Sequence, residues 1–537
     1  PRRYGAPAWN NQRFPMEISP ELLAEVGISF EEQSDPVEGA SSGPSEFSGS
    51  FMEPKPESMG SIREKKLIDM KHLEVESDII RGISLQKTLR SFGAVWMKSH
   101  PGKRRERWER SIQVQRFDLF LSHTWLTNGR WKVLSLLLQS SWPIFLVGWI
   151  IAVLAAIPLH FMEDLPSVLS YTCTSFAYEG SCTLRVYTHY FGMMGGILGL
   201  LLAPYIPSFR EKMCFLDVVS IHQADQVYMQ RGIYAIGGFL AVSAELQILW
   251  DRPYFDRLWC VFELAAFRTC NPQGKISLTP LFVEACLVFG LVVLYARTSL
   301  HWLFPALNWP EELSYALHAV IILPFLHYCR GILHKKRQMI QDLRNFDLTR
   351  VQCSSSFDRD FIQAGICKWY GSSEAFTIYV KGPLADELAE PFSRFRVPQP
   401  YWAVLAAPLI SFELCWILAI INAGASVQGV AWMCWIRTSH VLLELTEIKF
   451  VVEACDYFAE PSNLNLVKTS CVWLGLIAMI FIIWQLQYVL EAAGELPAFM
   501  SSLLVVVIFI IFVLGEVNLL PDMWKARTAF QAQKAES

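Results

Sequence analysis

The chain is poor in charge: Asp, Glu, Lys and Arg supply only 18% of its 537 residues, whereas 53% are hydrophobic. That balance excludes an ordinary soluble domain as the whole protein and suits one soluble domain plus several membrane spans. The formal net charge is only −4, and the aromatic residues lie mostly in apolar runs, so no basic, aromatic-lined surface awaits a nucleic acid. Nucleic-acid partners are excluded. The 13 cysteines include no CxxC pair and no His–Cys metal spacing, which argues against zinc and against a dense disulfide framework. No metal is expected. The opening stretch PRRYGAPAWNNQRF lacks an apolar core of signal-peptide length, leaving either a start further upstream or the first span as the targeting signal.

What is present divides by composition. Residues 1–60 are rich in Pro, Ser, Gly and Glu and read as a disordered tail. Residues 61–116 are densely charged (REKK, GKRRERWER) and read as a helical cytoplasmic segment, either near an anionic membrane surface or simply solvated. Apolar runs of about span length, ~20 residues, occur at 142–159, 190–207, 279–296, 313–329, 402–423, 470–490 and 498–515. A weaker run at 429–446 contains Arg437, which is costly at mid-bilayer unless paired. Seven or eight spans are expected, and the lipid bilayer is the first partner.

Positive charge orients them. KRRER before the first span, Arg210 and Lys212 after the second, and RGILHKKR at 330–337 belong in the cytoplasm, as do Lys525, Arg527 and Lys534 at the C-terminal end. This favours eight spans with both termini cytoplasmic. It also places Cys173 and Cys182 in the first external loop, YTCTSFAYEGSC, as a candidate disulfide or as two thiols near the headgroups.

Between the spans, apolar strand-like runs alternate with helical patterns. FDLFLSH (117–123), MCFLDVVSI (213–221), LQILW (246–250) and KISLTPLF (275–282) read as strands. RWKVLSLLLQS (130–140) reads as a helix ending at a Trp142-Pro143 break, and 228–244 and 254–268 read as further helices. Such alternation implies a parallel sheet covered on both faces, with its ligand site beyond the carboxyl ends of the strands.

Two motifs carry a family resemblance. FDLFLSHTW resembles the opening strand of Toll/interleukin-1 receptor homology (TIR) domains, and RLWCVFEL (257–264) resembles the tryptophan-cysteine-x-x-glutamate-leucine motif on a later TIR helix. The resemblance covers 115–282 and implies an α/β TIR-like parallel-sheet domain interrupted by a transmembrane hairpin. In NAD-cleaving members the motif glutamate is catalytic, which the resemblance transfers to Glu263 with NAD as substrate; self-association or other TIR-like domains are the partners it implies. One carboxylate suffices in principle, because it can stabilise an oxocarbenium-like centre while nicotinamide leaves as a neutral molecule.

Position at strand ends nominates neighbours for binding: Ser122, His123, Asp217, Trp259 and Arg257. Each has a structural alternative. Trp259 stacks on a ligand ring or packs in the core, Arg257 meets a phosphate or pairs with Glu263 or Asp256, and Glu263 itself is catalytic or pairs with Arg257 or Arg268. His222, Gln223 and Asp225 read as a turn.

The expected organisation is a tail (1–60), a charged helical segment (61–116), the first part of the TIR-like domain (117–141) and a transmembrane hairpin with an external loop (142–207). The second part of the domain (208–282), a transmembrane pair (283–329), a cytoplasmic helical subdomain (330–400), a transmembrane bundle (401–520) and a cytoplasmic tail (521–537) follow. Glycines 192, 195, 196 and 199 permit close helix approach, within the hairpin or in a dimer. Glu284 and Glu413 are the acids most nearly inside spans. The expected function is membrane-anchored TIR-like signalling with NAD hydrolysis; the alternatives are a non-enzymatic assembly module and a transporter or channel regulated by the TIR-like domain.

Overall fold

The structure is a computed structural model that describes residues 73–97, 104–175, 178–207, 211–307, 309–353, 355–393, 397–457, 459 and 466–514. The tails expected at 1–60 and 521–537, and with them both termini, lie outside the described residues.

Sheet and helices interleave along the chain. The first part comprises β1 (Arg81–Ser84), α1 (Leu85–Gly93), α2 (Arg104–Glu109), β2 (Ile112–Gln113), β3 (Phe117–His123) and α3 (Gly129–Ala156). A two-stranded hairpin of β4 (Leu169–Ser175) and β5 (Tyr178–Leu184) then leads to α4 (Tyr187–Leu202). The sheet resumes with β6 (Met213–Phe215), the turn α5 (Asp217–Ser220), α6 (Gln226–Ile233), α7 (Ile236–Ala241), β7 (Ser243–Trp250), α8 (Leu258–Cys270) and β8 (Lys275–Pro280). After it come α9 (Phe282–Ala306), α10 (Glu311–Arg344), α11 (Ser356–Tyr370), α12 (Ser373–Tyr379) and α13 (Ala385–Ser393). The last four are α14 (Gln399–Asn422), α15 (Val427–Tyr457), α16 (Leu466–Ala492) and α17 (Glu495–Phe509).

The six-stranded sheet has the order β2-β1-β6-β3-β7-β8. Strands β6, β3, β7 and β8 are parallel, in a register that sets Leu119 beside Cys214 and Glu245, and Glu245 beside Lys275. Six of the seven residues of β3 are buried, the pattern of a strand covered on both faces. The antiparallel edge strands β1 and β2 come from the segment expected to be only a charged helix. Their charged neighbours conceal a short apolar edge: Ile83 packs with Leu119 and Cys214 beneath α3.

Three further expectations are corrected. MCFLDVVSI is a strand only as far as Phe215, because Asp217 opens a helical turn with its own carboxylate accepting from the Val218 N–H at 2.7 Å. The helical pattern over 228–244 divides at Tyr234–Ala235, and Ser243 already belongs to β7. Pro143 does not end α3, which continues from the sheet face to Ala156. A proline inside a helix costs ~3 kcal/mol, and packing of α3 against α4 and α14 offsets it.

Among the described residues, five helices are long and apolar enough to cross a membrane: Gly129–Phe161, Phe282–Leu303, Gln399–Asn422, Trp473–Ala492 and Glu495–Leu514. The apolar runs at 190–207, 313–329 and 429–446 also fold as helix, but α4 has only 16 residues, and α10 and α15 carry charges through much of their length. Large apolar side chains such as Ile151, Leu154, Leu198, Ile482, Leu486 and Leu504 are exposed along these helices, as a lipid-facing surface requires.

The hairpin α3–α4 closes through its glycines. A Cβ at Gly195 would lie 2.3 Å from the Ala152 Cβ, and one at Gly148 would lie 2.4 Å from the Gly195 carbonyl oxygen. The glycine spacing therefore serves contact within the chain. Beyond this hairpin, no disulfide joins Cys173 to Cys182. Strand register sets Cys173 opposite Gly180 and Cys182 opposite Tyr171, leaving the two cysteines diagonal. Diagonal neighbours stand ~7–8 Å apart, outside the ~4.4–6.8 Å Cα range of a disulfide.

Candidate functional site

The site sits where β3 ends. Alternation along β3 turns the Ser122 side chain towards α8, and its hydroxyl donates a hydrogen bond to the Glu263 carboxylate. Ser122 is 1% exposed and also lies 2.5 Å from the hydroxyl of fully buried Tyr254, so Tyr254, Ser122 and Glu263 form one hydrogen-bonded row. Helix α8 is held in place from both sides. Its start is pinned by backbone bonds from Leu258 N–H to the Gln352 carbonyl and from Gln352 N–H to the Asp256 carbonyl, while Leu258, Val261, Phe262 and Ala265 are buried in the main core.

Glu263 is only partly exposed. Burial pushes its carboxyl up to about 8; the Ser122 hydrogen bond opposes this, and the Asp217 carboxylate adds to it. At neutral pH the group therefore holds its proton. An incoming cation beside it would favour release.

Asp217, first residue after β6 and its short bend, completes the acidic side. It accepts from Trp125 Nε1 at 2.7 Å, and its other oxygen lies 3.9 Å from His123 Nε2. His123 is buried between the rings of Trp96 and Trp125, and burial holds its imidazole down at about 4, so it is neutral. Around them, Lys132 Nζ donates to the Thr124 carbonyl at 2.7 Å and lies over the Trp125 ring, while Thr127 donates to Asp251 at 3.1 Å. The Cys260 thiol, raised by burial, points at the His123 carbonyl and is a core residue.

Of the residues nominated from sequence, Glu263, Ser122, His123 and Asp217 come together. Trp259 does not join them: its Nε1 donates to Asp358 on α11 at 3.3 Å, and its ring packs against Phe262 and Phe361. Arg257 pairs with neither Glu263 nor Asp256, and among the described residues its side chain makes no hydrogen bond or ion pair; Arg268 pairs instead with Glu387. The turn residues behave as expected, since Asp225 caps α6 by accepting from the Val227 and Tyr228 N–H groups. Tyr254, Trp125, Lys132 and Asp251 were not nominated. Tyr254 and Trp125 both stand within or beside the two motifs, so the signal was proximity to them; Lys132 and Asp251 are brought in by packing alone.

The arrangement can hold a polar, hydroxyl-bearing ligand against one protonatable carboxyl and one accepting carboxylate. Among the described residues, no group of three or more His, Cys, Asp or Glu side chains is placed to hold a metal ion. Compared with protein-family models, curated proteins and solved structures, the chain matches none. The class defined by its fold is a mostly helical protein in which a mixed, largely parallel sheet is continuous with apolar, membrane-length helices.

Proposed function

We propose that the chain is a multipass membrane protein of seven or eight spans, with cytoplasmic termini, whose TIR-like sheet domain signals by hydrolysing NAD through Glu263. The observation that carries this reading is the Ser122–Glu263 hydrogen bond at the carboxyl end of β3, where a carboxyl raised to about 8 remains partly open to solvent. Ligands of open parallel sheets lie at this edge. The sheet domain continues into α3 and α9 without a linker, which favours membrane anchoring.

In this reading the nicotinamide ribose lies against Glu263. The positive charge of the ligand favours ionisation of the carboxyl, whose proton passes to water, and the resulting anion stabilises positive charge developing at the ribose C1′. The C1′–N bond breaks with its electron pair going to nicotinamide, which leaves neutral; water adds its oxygen to C1′ and releases a proton, giving ADP-ribose. Arg257, which immediately precedes the helix that carries Glu263, is in this reading the cation that meets a phosphate.

A rival reading has one observation in its favour. Trp259, the natural stacking partner for a ligand ring, is engaged by Asp358 within the chain, which suits a non-enzymatic module that assembles with other copies or other TIR-like domains. Purified full-length protein decides between them. Release of nicotinamide that Glu263→Gln abolishes supports hydrolysis; release that survives the substitution removes Glu263, and concentration-dependent association without release favours assembly.

A further inference from the structure

Inside the helical bundle lies a second set of ionisable groups, remote in sequence from the sheet site. On α15, Arg437, His440, Glu444 and Glu447 follow at intervals of three and four residues and so occupy one face. Over ten residues at 1.5 Å each, this stripe extends ~15 Å along the helix, about half of a ~30 Å hydrocarbon core.

Every helix packed on that face answers it. Arg297 of α9 pairs with Glu444, and His318 of α10 lies 3.2 Å from the Arg297 carbonyl. Glu413 of α14 accepts from Arg437 at 3.1 Å and lies 3.8 Å from His440 Nδ1. From α16, Glu491 lies 2.8 Å from His440 Nε2, and Gln487 donates to Glu491 at 2.8 Å and to Ser501 of α17 at 3.3 Å. Trp484 Nε1 of α16 donates to Glu447 Oε2 at 3.2 Å. The second Glu447 oxygen, Oε1, is wholly buried and has no hydrogen-bond partner.

The charges do not balance. Four carboxyls, Glu413, Glu444, Glu447 and Glu491, face two guanidiniums, Arg297 and Arg437, which are committed to Glu444 and Glu413. A bundle that used ion pairs only to hold its helices together would need no surplus acid. Glu491 meets the His440 imidazole, which leaves Glu447 without a paired cation, and an ionised carboxylate so placed is replaced by its protonated form. The orphaned oxygen of Glu447 is where a proton without a fixed acceptor would reside. His440, touching both Glu413 and Glu491, supplies the group that can take a proton on one ring nitrogen and give it from the other.

We propose that Glu447 and the Glu413–His440–Glu491 row form a proton-carrying site within the membrane bundle, through which the protein moves protons across the bilayer. The site rests on the membrane reading of the bundle and is independent of the chemistry at Glu263. Intramembrane acids with named partners are the usual parts of such relays.

The test uses full-length protein in anionic phospholipid vesicles that enclose a pH-sensitive dye, with an imposed pH gradient and the membrane potential clamped by potassium and its ionophore. Proton flux above that of protein-free vesicles is expected, falling at least tenfold in Glu447→Gln and in His440→Gln, and unchanged in Glu263→Gln. An infrared band of a protonated carboxyl should vanish in Glu447→Gln, a readout that a purely structural ion-pair network would not move. Flux no greater than in empty vesicles overturns the proposal, as does flux or an infrared band indifferent to Glu447→Gln in protein shown to be folded by circular dichroism. Nicotinamide release is measured on the same parent, Glu447→Gln and His440→Gln proteins, so failure here leaves NAD cleavage separately measurable.

Discussion

The Ser122 hydroxyl donates to the Glu263 carboxyl across 141 residues of sequence, including the whole α3–α4 hairpin. This one bond joins the end of β3 to the middle of α8 and fixes where the site lies. Burial raises the carboxyl, and Ser122 restrains the rise by stabilising the anion.

If hydrolysis requires ionised Glu263, kcat/KM should rise with pH through an apparent value near 8 and level off above it, since the deprotonated fraction grows across that range. Ser122→Ala removes the donor that favours the anion, so the same limb should move to higher pH. Glu263→Gln should cost ~10²–10³ in kcat, in line with the loss of one electrostatic group at a developing charge. Nicotinamide release measured from pH 6 to 10 checks all three; an identical limb in Ser122→Ala would refute the coupling.

Stability should report the same group. Folded Glu263 keeps its proton to about 8, whereas an ordinary glutamate loses it near 4.5, so between these values the folded state binds more protons. The stabilisation is present below about 4.5 and is lost as pH rises through about 8. Glu263→Gln should flatten this slope, seen as a smaller fall in Tm between pH 6 and 9 than in the parent protein.

Trp259→Phe separates packing from ligand stacking. Losing the Nε1–H bond to Asp358 should destabilise docking of α11 on α8 by ~1 kcal/mol, the net worth of one such bond, while leaving nicotinamide release unchanged. A large rise in KM without loss of stability would instead restore Trp259 to the binding site.

The hairpin makes its own prediction. Gly195→Val places atoms where the Ala152 Cβ and the Gly148 carbonyl oxygen already lie within 2.5 Å of a modest Cβ. Overpacking of this kind costs ~1–3 kcal/mol, so Tm in detergent should drop, and Gly199→Ala, which meets the Ile144 carbonyl oxygen at 2.6 Å, should drop it as well.

Glu284 joins sheet to bundle. It accepts from Ser135 at 2.8 Å, Gln139 at 3.0 Å and Tyr401 at 2.9 Å, and Gln139 in turn accepts from Gln247 of β7. Glu284→Ala strands three buried donors, each at ~1–3 kcal/mol, and should expose the junction at 281–284 to limited proteolysis; Glu284→Gln, which keeps the shape and an acceptor, should resist far better.

Much of the fold was legible in local pattern. The buried run FDLFLSH, the strand LQILW and the motif helix were readable because a twice-covered strand and an amphipathic helix leave contiguous marks. β1 and β2 were not, since edge strands of four and two residues among charges leave too short a period to detect. Pro143 misled because the proline penalty is local and the packing that outweighs it is not.

The sequence by itself determined that the chain is apolar enough for several membrane helices, that a parallel sheet is interleaved with them, and that Glu263 and Ser122 stand at a helix and a strand end. Only tertiary structure decided which candidates meet. Trp259 turned to Asp358 and Ser122 to Glu263 because side-chain direction depends on what covers each face, and α11, which covers α8, comes from almost 100 residues further along. The same holds on α15: sequence marks Arg437 as costly unless paired, and packing alone supplies its partner, Glu413 of α14.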